Sequence, residues 1–305
     1  MKRFETISDF LQFRHMSGPD HPLVHVFKLE DVVSTALIGL DAWTYDFYCM
    51  GLKRIVNNRE IGLKYGQQIY DYNNGILSCV APNQVMSLTV DHKAAKLIQS
   101  GWMLMVHPDL IHHTSLAQNI RQYDFWDYTV NEALFLSDRE EATLVGILQN
   151  IRQESQNNID QFSKNIIVSH LDTLFNYADR FYHRQFITRE KTGHEVLGRV
   201  EHYLNQYFAQ DDLIHKGLPS VSDLAAALNL SPKYLSSLLK VLSGQNTQQH
   251  IHQKLIEKAK EQLSATTLSV SEIAYNLGFE HLQSFSKLFK AKTNQSPVEF
   301  RAAFN

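Results

Sequence analysis

Ser220-Val221-Ser222-Asp223-Leu224-Ala225 is followed, 49 positions on, by Ser269-Val270-Ser271-Glu272-Ile273-Ala274, with Leu228 over Leu277. A one-residue insertion then moves the offset to 50, and Leu235, Leu238, Leu239 and Lys240 lie over Phe285, Leu288, Phe289 and Lys290. Self-similarity of this kind marks two copies of one supersecondary element. In each copy a Ser stands three residues before an acid (Ser220/Asp223, Ser269/Glu272), a pairing that satisfies orphan backbone N–H groups at a helix start. Apolar residues then recur at helical spacing: Val221, Leu224, Ala225, Leu228 in one copy and Val270, Ile273, Ala274, Leu277 in the other. Asn229 and Gly278 come next, residue types that accept positive φ and so end a helix in a turn. Ser231-Pro232 restarts the first copy as N-cap and first helical residue. Each copy therefore predicts helix, tight turn, helix, at residues 220–243 and 269–293.

The second helix of each copy has one apolar and one polar side. Leu235, Leu238, Leu239 and Leu242 form a stripe, and Lys233, Ser236, Ser237 and Lys240 lie on the opposite face; in the second copy Phe285, Leu288 and Phe289 oppose Gln283, Ser286, Lys287 and Lys290. Neither polar row contains an acid. A helix that enters a major groove between two phosphate backbones needs such a face. A solvated face on an ordinary bundle explains one such helix about as well, but not two in register with their turns.

On these residues the last 90 or so positions resemble the paired helix-turn-helix domain of the AraC family of transcription regulators. The resemblance is carried by Leu224-Ala225, Leu230-Ser231-Pro232-Lys233-Tyr234-Leu235, Ile273-Ala274-Tyr275-Asn276-Leu277-Gly278-Phe279, Ser284-Phe285-Ser286-Lys287-Leu288-Phe289-Lys290 and Ser296-Pro297-Val298-Glu299-Phe300-Arg301. It implies that both second helices read adjacent major-groove segments of promoter DNA, joined by a helix from about Thr247 to Leu263. Lys233, Ser236, Ser237, His281, Gln283 and Lys287 then face base edges, while Lys240, Lys290 and Lys292 hold phosphates. The chain departs from the family pattern at Ser237, where members often carry Arg, and at Asn294, which replaces a usual Gly.

The net charge of −3 argues against a general nucleic-acid coat protein. Residues 217–305 hold nine Lys and Arg against six Asp and Glu, so the cations gather weakly toward the repeated unit. Met1-Lys2-Arg3-Phe4-Glu5-Thr6 precedes no apolar stretch of a secretory signal, and no run reaches the roughly 18 apolar residues of a membrane span; a cytoplasmic protein is expected. The two cysteines, Cys49 and Cys79, lie in apolar segments and read better as buried thiols than as a redox pair.

From about His21 to Val106, short apolar runs alternate with Gly, Asn and Pro. Leu23–Phe27, Tyr45–Cys49, Gln68–Tyr70, Ile76–Val80, Val85–Leu88 and Trp102–Val106 predict strands, with turns at Asn73-Asn74-Gly75 and Ala81-Pro82-Asn83. This spacing suggests a β-sandwich or jelly roll, which the resemblance makes a cupin-like sensor domain. Trp43, Tyr45, Phe47, Trp102, Phe125 and Trp126 are candidates to line an effector pocket, against the plainer reading that they are core. His21, His25, His107, His112 and His113 do not form the ligand pattern of a metal barrel, and neither a metal nor a cofactor is expected. Pro108-Asp109 predicts the start of a short helix instead. Ser137-Asp138-Arg139-Glu140 opens a further helix, and Ile167, Leu171, Leu174, Ala178 and Phe181 step by four and three on the next, the spacing of a coiled-coil seam. That seam either dimerises the chain or packs on its own sandwich.

The expected architecture is α+β and multidomain: a cupin-like β domain at 1–135, a helical dimerisation and linker region at 136–192, and an all-α double helix-turn-helix domain at 193–305. The expected function is a sequence-specific DNA-binding transcription regulator, not an enzyme, governed by a small-molecule effector. It would be a homodimer that works with RNA polymerase, as an activator in preference to a repressor. Two rivals are a cupin metalloenzyme fused to a DNA-binding module and a constitutive DNA-binding dimer.

Overall fold

The structure is a computed structural model; it describes residues 1–32, 42–55, 64–65, 68–69, 75–86, 99–128, 132–157, 160–188, 190–210 and 213–303. The expected strand positions Tyr70, Ser87 and Leu88 and the turn residues Asn73 and Asn74 lie outside these residues. The chain forms two compact units, Met1–Gln185 and Phe186–Asn305.

In the first unit, strand β1 (Lys2–Phe4) leads into helix α1 (Ile7–Phe13), then β2 (Val24–Lys28), β3 (Trp43–Tyr45) and β4 (Tyr48–Ile55). Short strands β5 (Lys64–Tyr65) and β6 (Gln68–Ile69) precede β7 (Ile76–Val80) and β8 (Gln99–Val106). Two short helices, α2 (Pro108–Ile111) and α3 (Ser115–Asn119), come before β9 (Leu134–Phe135), α4 (Asp138–Gln156) and α5 (Ser163–Thr188). The main sheet has the order β2-β8-β4-β7-β9 and is antiparallel throughout; β1 pairs in parallel with β3, and β5 pairs with β6. Among the described residues these sheets are not closed, and of the β-sandwich or jelly roll expected from strand spacing the structure shows a sheet region with helices.

Directly opposed residues of an antiparallel pair share a side of the sheet. Phe27, Met105, Cys49 and Val80 fall on one side, in the cluster that holds Phe4, Ile7, Phe10 and Leu11. On the other side, Met50 stands across from both Leu104 and Cys79. Cys49 and Cys79 thus point to opposite sides of the sheet, and burial pushes both thiols well up. They pack as small hydrophobes.

Helix α4 begins at the expected capping box, Ser137 with Glu140, and buries Leu144, Ile147, Leu148 and Ile151. Helix α5 carries the presumed coiled-coil seam, but Ile167, Leu171, Leu174, Ala178 and Phe181 are all buried in the single chain, Leu171 and Leu174 completely. Phe175 and Tyr182 of the same helix pack on Phe125, Trp126 and Tyr128. The stripe faces the chain's own aromatic core, and two heptads of spacing do not distinguish that from a partner's surface.

The second unit is helical. After Phe186 come α6 (Glu190–Phe208), the short α7 (Leu213–Lys216), α8 (Val221–Leu228), α9 (Pro232–Ser243), α10 (Thr247–Ala265), α11 (Val270–Asn276), α12 (Leu282–Thr293) and α13 (Pro297–Ala302). Helix α10 is the expected connector. No helix among the described residues is long and apolar enough to cross a membrane.

Candidate nucleic-acid interface

The first copy is held at each of its joints by a side chain. Ser220 Oγ accepts the Asp223 N–H at 3.1 Å, and the Asp223 carboxylate accepts the Ser220 hydroxyl at 2.7 Å and the Ser220 N–H at 3.1 Å, bonds that hold that carboxyl below its ordinary range. Asn229 closes α8 in the left-handed region, φ 58°. Arg199 of α6 donates to the Leu228 carbonyl at 3.2 Å, satisfying a group that the helix end leaves open. Ser231 then caps α9 by accepting the Tyr234 N–H at 3.2 Å, with Pro232 as first helical residue. Helix α9 buries Leu235, Leu238 and Leu239 and exposes Lys233 and Lys240. Ser237 is half-buried. The structure turns Ser236 away from the free face: its hydroxyl meets Thr247 Oγ1 at 2.9 Å, and Thr247 is fully buried at the start of α10.

The second copy repeats the plan with other residues. Ser269 and Glu272 form the same reciprocal cap over α11. Gly278 makes the turn at φ 86°, and a Cβ there would stand 2.8 Å from the Gly217 carbonyl. Both the dihedral angle and the close approach require glycine. His281, at the N-cap of α12, makes no side-chain capping bond and is exposed. Helix α12 buries Phe285 and Phe289, which join Phe279 and Phe300 in a chain of ring contacts at 5.4, 5.8 and 5.5 Å. Gln283, Lys287, Lys290 and Lys292 are exposed, and Ser286 is half-buried.

The repeat extends through a third helix in each copy. Ser243 Oγ donates to the Leu239 carbonyl and accepts the Gln245 N–H, and Asn246 with Gln249 caps α10. Fifty positions on, Thr293 donates to the Phe289 carbonyl and accepts the Gln295 N–H, and Ser296 with Glu299 caps α13. Each copy is therefore three helices, with Gly244 and Asn294 in the same left-handed position between the second and third. The signal lay in Ser243/Thr293, Gln245/Gln295 and Asn246/Ser296, residues that share a role more than an identity.

In the first unit, the six aromatic candidates do not converge on one pocket. Trp43, Tyr45 and Phe47 pack with Phe4 and Phe10, Tyr45 meeting Phe47 at 5.2 Å. Phe125 and Trp126 pack with Phe175, and Tyr48 meets Trp126 at 4.8 Å. Trp102 has the Lys28 and Arg152 cations over its ring at 5.5 and 5.8 Å. Spacing in the chain could not reveal that these groups belong to separate clusters. Of the histidines, His21 Nδ1 accepts the Leu23 N–H, His107 Nδ1 accepts the Asp109 N–H, and His112 and His113 lie ring to ring at 4.1 Å, while His25 stacks on Phe27 at 5.4 Å with its buried Nδ1 unbonded.

A family model described as a helix-turn-helix domain matches residues 224–303. The HTH-type transcriptional regulator YfiF of Bacillus subtilis is 28% identical over 146 residues, 48% of this chain and 43% of its own. The raffinose operon transcriptional regulatory protein RafR of Pediococcus pentosaceus is 35% identical over 82 residues, 27% of this chain and 30% of its own. The chain thus spans less than half the length of these relatives. The crystal structure of the C-terminal domain of the two-component response regulator yesN from Fusobacterium nucleatum is similar at 30% identity, covering 33% of this chain and 93% of that domain, with a TM-score of 0.30. The C-terminal part of the chain thus carries a helix-turn-helix domain of the AraC type.

Proposed function

We propose that the chain is a sequence-specific transcription regulator whose helices α9 and α12 enter successive major grooves of promoter DNA. The observation that supports this most is the pair of equivalent helices whose outward faces carry Lys, Gln and Ser and no acid. Lys233, Ser237, His281, Gln283 and Lys287 face base edges; Ser236, bonded to Thr247, helps instead to fix α10 against α9. Lys240, Lys290 and Lys292 hold phosphates, which position the protein without reading sequence. The first unit, a cupin-like sensor in this reading, binds a small-molecule effector and shifts the DNA-binding units between arrangements to the extent that the effector prefers one. The regulator acts in the cytoplasm and recruits RNA polymerase, as an activator in preference to a repressor. A homodimer forms through a surface other than the buried Ile167–Phe181 stripe.

A mobility-shift series tests the assignment. Gln283→Ala is expected to relax sequence choice, at about 1–3 kcal/mol on the preferred site, while Lys290→Ala weakens every sequence alike and flattens the salt dependence. Equal losses on all sequences for both variants would refute the division into base and phosphate contacts. Sedimentation of a charged variant at Leu171 separates unfolding from dimer loss: the stripe's burial predicts unfolding.

A further inference from the structure

Helix α6 reaches both helix-turn-helix copies. It packs on α8 and α9 of the first copy and on the connector α10, and it buries Val196, Val200, Leu204 and Phe208. Beside that row runs another at the same four-residue step, Arg199, Tyr203 and Tyr207, on a neighbouring stripe of the helix. The two ends of this second row are tied to the two turns. Arg199 donates to the Leu228 carbonyl at 3.2 Å, one residue before Asn229 turns the first copy. Tyr207 Oη donates to the Gly217 carbonyl at 3.2 Å. Gly217 closes α7 in the left-handed region, φ 74°, with its N–H donating to the Leu213 carbonyl at 2.8 Å. The second copy's own turn lies on that closing turn: a Cβ at Gly278 would stand 2.8 Å from the carbonyl carbon and oxygen of Gly217 and 3.1 Å from the Leu213 oxygen. Helix α7 also packs on α11, and Lys216 donates back to Gln210, just past the end of α6, at 2.5 Å.

A helix such as α10 fixes the distance between the parts it joins but leaves the bend at its two ends soft, because hinge motion is absorbed by a few residues at element ends. A second tie that runs from one turn to the other removes that freedom. Positions 199 and 207 stand two turns apart on one rigid helix, about 12 Å. To swing α12 relative to α9 would draw Gly217 away from Tyr207, draw Leu228 away from Arg199, or open the contact of Gly217 with Gly278.

We propose that α6 is a brace across the two copies, tied to the first at Arg199 and to the second through Tyr207 and Gly217, and that it holds α9 and α12 at the separation and angle that α10 sets. Arg199 and Tyr207 are then positioning residues: they touch no DNA, yet they make the protein choose operators by the spacing of their half-sites as well as by their bases. The proposal rests on the reading of α9 and α12 as the two DNA-reading helices and adds what governs their spacing.

The test is DNA binding by the full chain as a function of spacing. A promoter fragment that the protein binds is remade with one or two base pairs inserted or removed between its half-sites, each base pair moving one half-site by about 3.4 Å and about 35°. The parent is expected to lose about tenfold or more in affinity for a single inserted base pair. Tyr207→Phe, which removes only the phenolic O–H, and Arg199→Met should bind the parent spacing nearly as well and lose most of the penalty at the others. Arg199→Lys, which can still donate to the Leu228 carbonyl, should keep more of that penalty than Arg199→Met. Tyr203→Phe is the control and should keep the parent profile: Tyr203 stands between the two in the row, its ring against Tyr207 at 5.9 Å, and among the described residues neither turn is bonded to it. A parent indifferent to spacing would overturn the proposal, as would an unchanged profile in Tyr207→Phe and Arg199→Met. So would one factor lost at every spacing, which is what bonds that only stabilise the fold would give. Spin labels on Lys240→Cys and Lys290→Cys, equivalent exposed positions of α9 and α12, read the brace without DNA, since Cys49 and Cys79 are buried away from the label. The distance distribution between them should widen in Tyr207→Phe, and equal widths overturn the proposal whatever the DNA result. A widened distribution beside a parent that binds no promoter fragment sinks the regulator reading and leaves the brace standing.

Discussion

The two helix-turn-helix copies reach one backbone plan by different chemistry. The first copy packs on leucines, turns at Asn229 and caps its second helix with Ser231. The second packs on a chain of phenylalanines, turns at Gly278 and leaves His281 uncapped at the corresponding helix start. The first exposes Lys233 and Lys240 on α9, with Ser236 turned inward, whereas the second exposes Gln283, Lys287, Lys290 and Lys292. The first copy is locally better fastened and the second exposes more polar side chains on its second helix. In the proposed binding mode, the open cap leaves the His281 side chain for a base.

Core truncations test the packing difference with the largest effects. Phe289→Ala is expected to cost about 4 kcal/mol in urea unfolding and Leu239→Ala about 3, because the ring removes more buried contact. A reversed order would break the comparison. The turns come next. Gly278→Ala should cost about 2–3 kcal/mol, through its left-handed φ and the overlap with Gly217, while Asn229→Gly should be close to neutral. On DNA, the double variant Lys290→Ala with Lys292→Ala should reduce the slope of log affinity against log salt by about 2, and Lys240→Ala by about 1. Equal slopes would mean that both copies contribute phosphate contacts evenly.

Giving the second copy the first copy's cap should have a smaller and opposite effect. His281→Ser is expected to stabilise the unit by about 0.5–1 kcal/mol while reducing preference for the cognate site, read by chemical unfolding and by competition binding. The smallest effect is one of pH. Hydrogen bonds from Ser220, Ser269 and Ser296 hold the carboxyls of Asp223, Glu272 and Glu299 below their ordinary range. The stability they lend is present above that range and declines as pH falls through the depressed values. Ser220→Ala and Ser269→Ala should each flatten the acid limb of the unfolding curve, and to the same degree, since this cap is common to both copies.

How much of this could be read from the chain alone follows from what each signal encodes. Caps and turns are local chemistry, so Ser220, Asn229, Ser231, Ser269 and Gly278 announce their roles directly, and the connecting helix falls within two residues of its expected end. Ile76–Val80 is likewise found at its expected limits. Helix α1 passed unread although Thr6 and Asp9 form a capping box, because only seven residues follow it. Tyr45–Cys49 reads as one strand, but a bend at Asp46 and Phe47 divides it between β3 and β4, which belong to different sheets. Tertiary partners are not written in spacing. The Ile167–Phe181 stripe looks alike whether it meets a second copy or its own sheet, and Trp43 and Trp126 give no sign that they belong to separate clusters. Ser236 shows the same limit at the interface: its position on the helix is polar and outward, yet Thr247 captures its hydroxyl.

Helix α10 ends the first copy and leads into the second, and its 19 residues make it a ruler of roughly 28 Å. It also sets an angle. Adding a single alanine near its middle would lengthen it by only about 1.5 Å but swing everything beyond through about 100°, so the second reader would aim at a different flank of the duplex. In the proposed binding mode, the phase between the two half-sites of an operator is set by residue count in one rod.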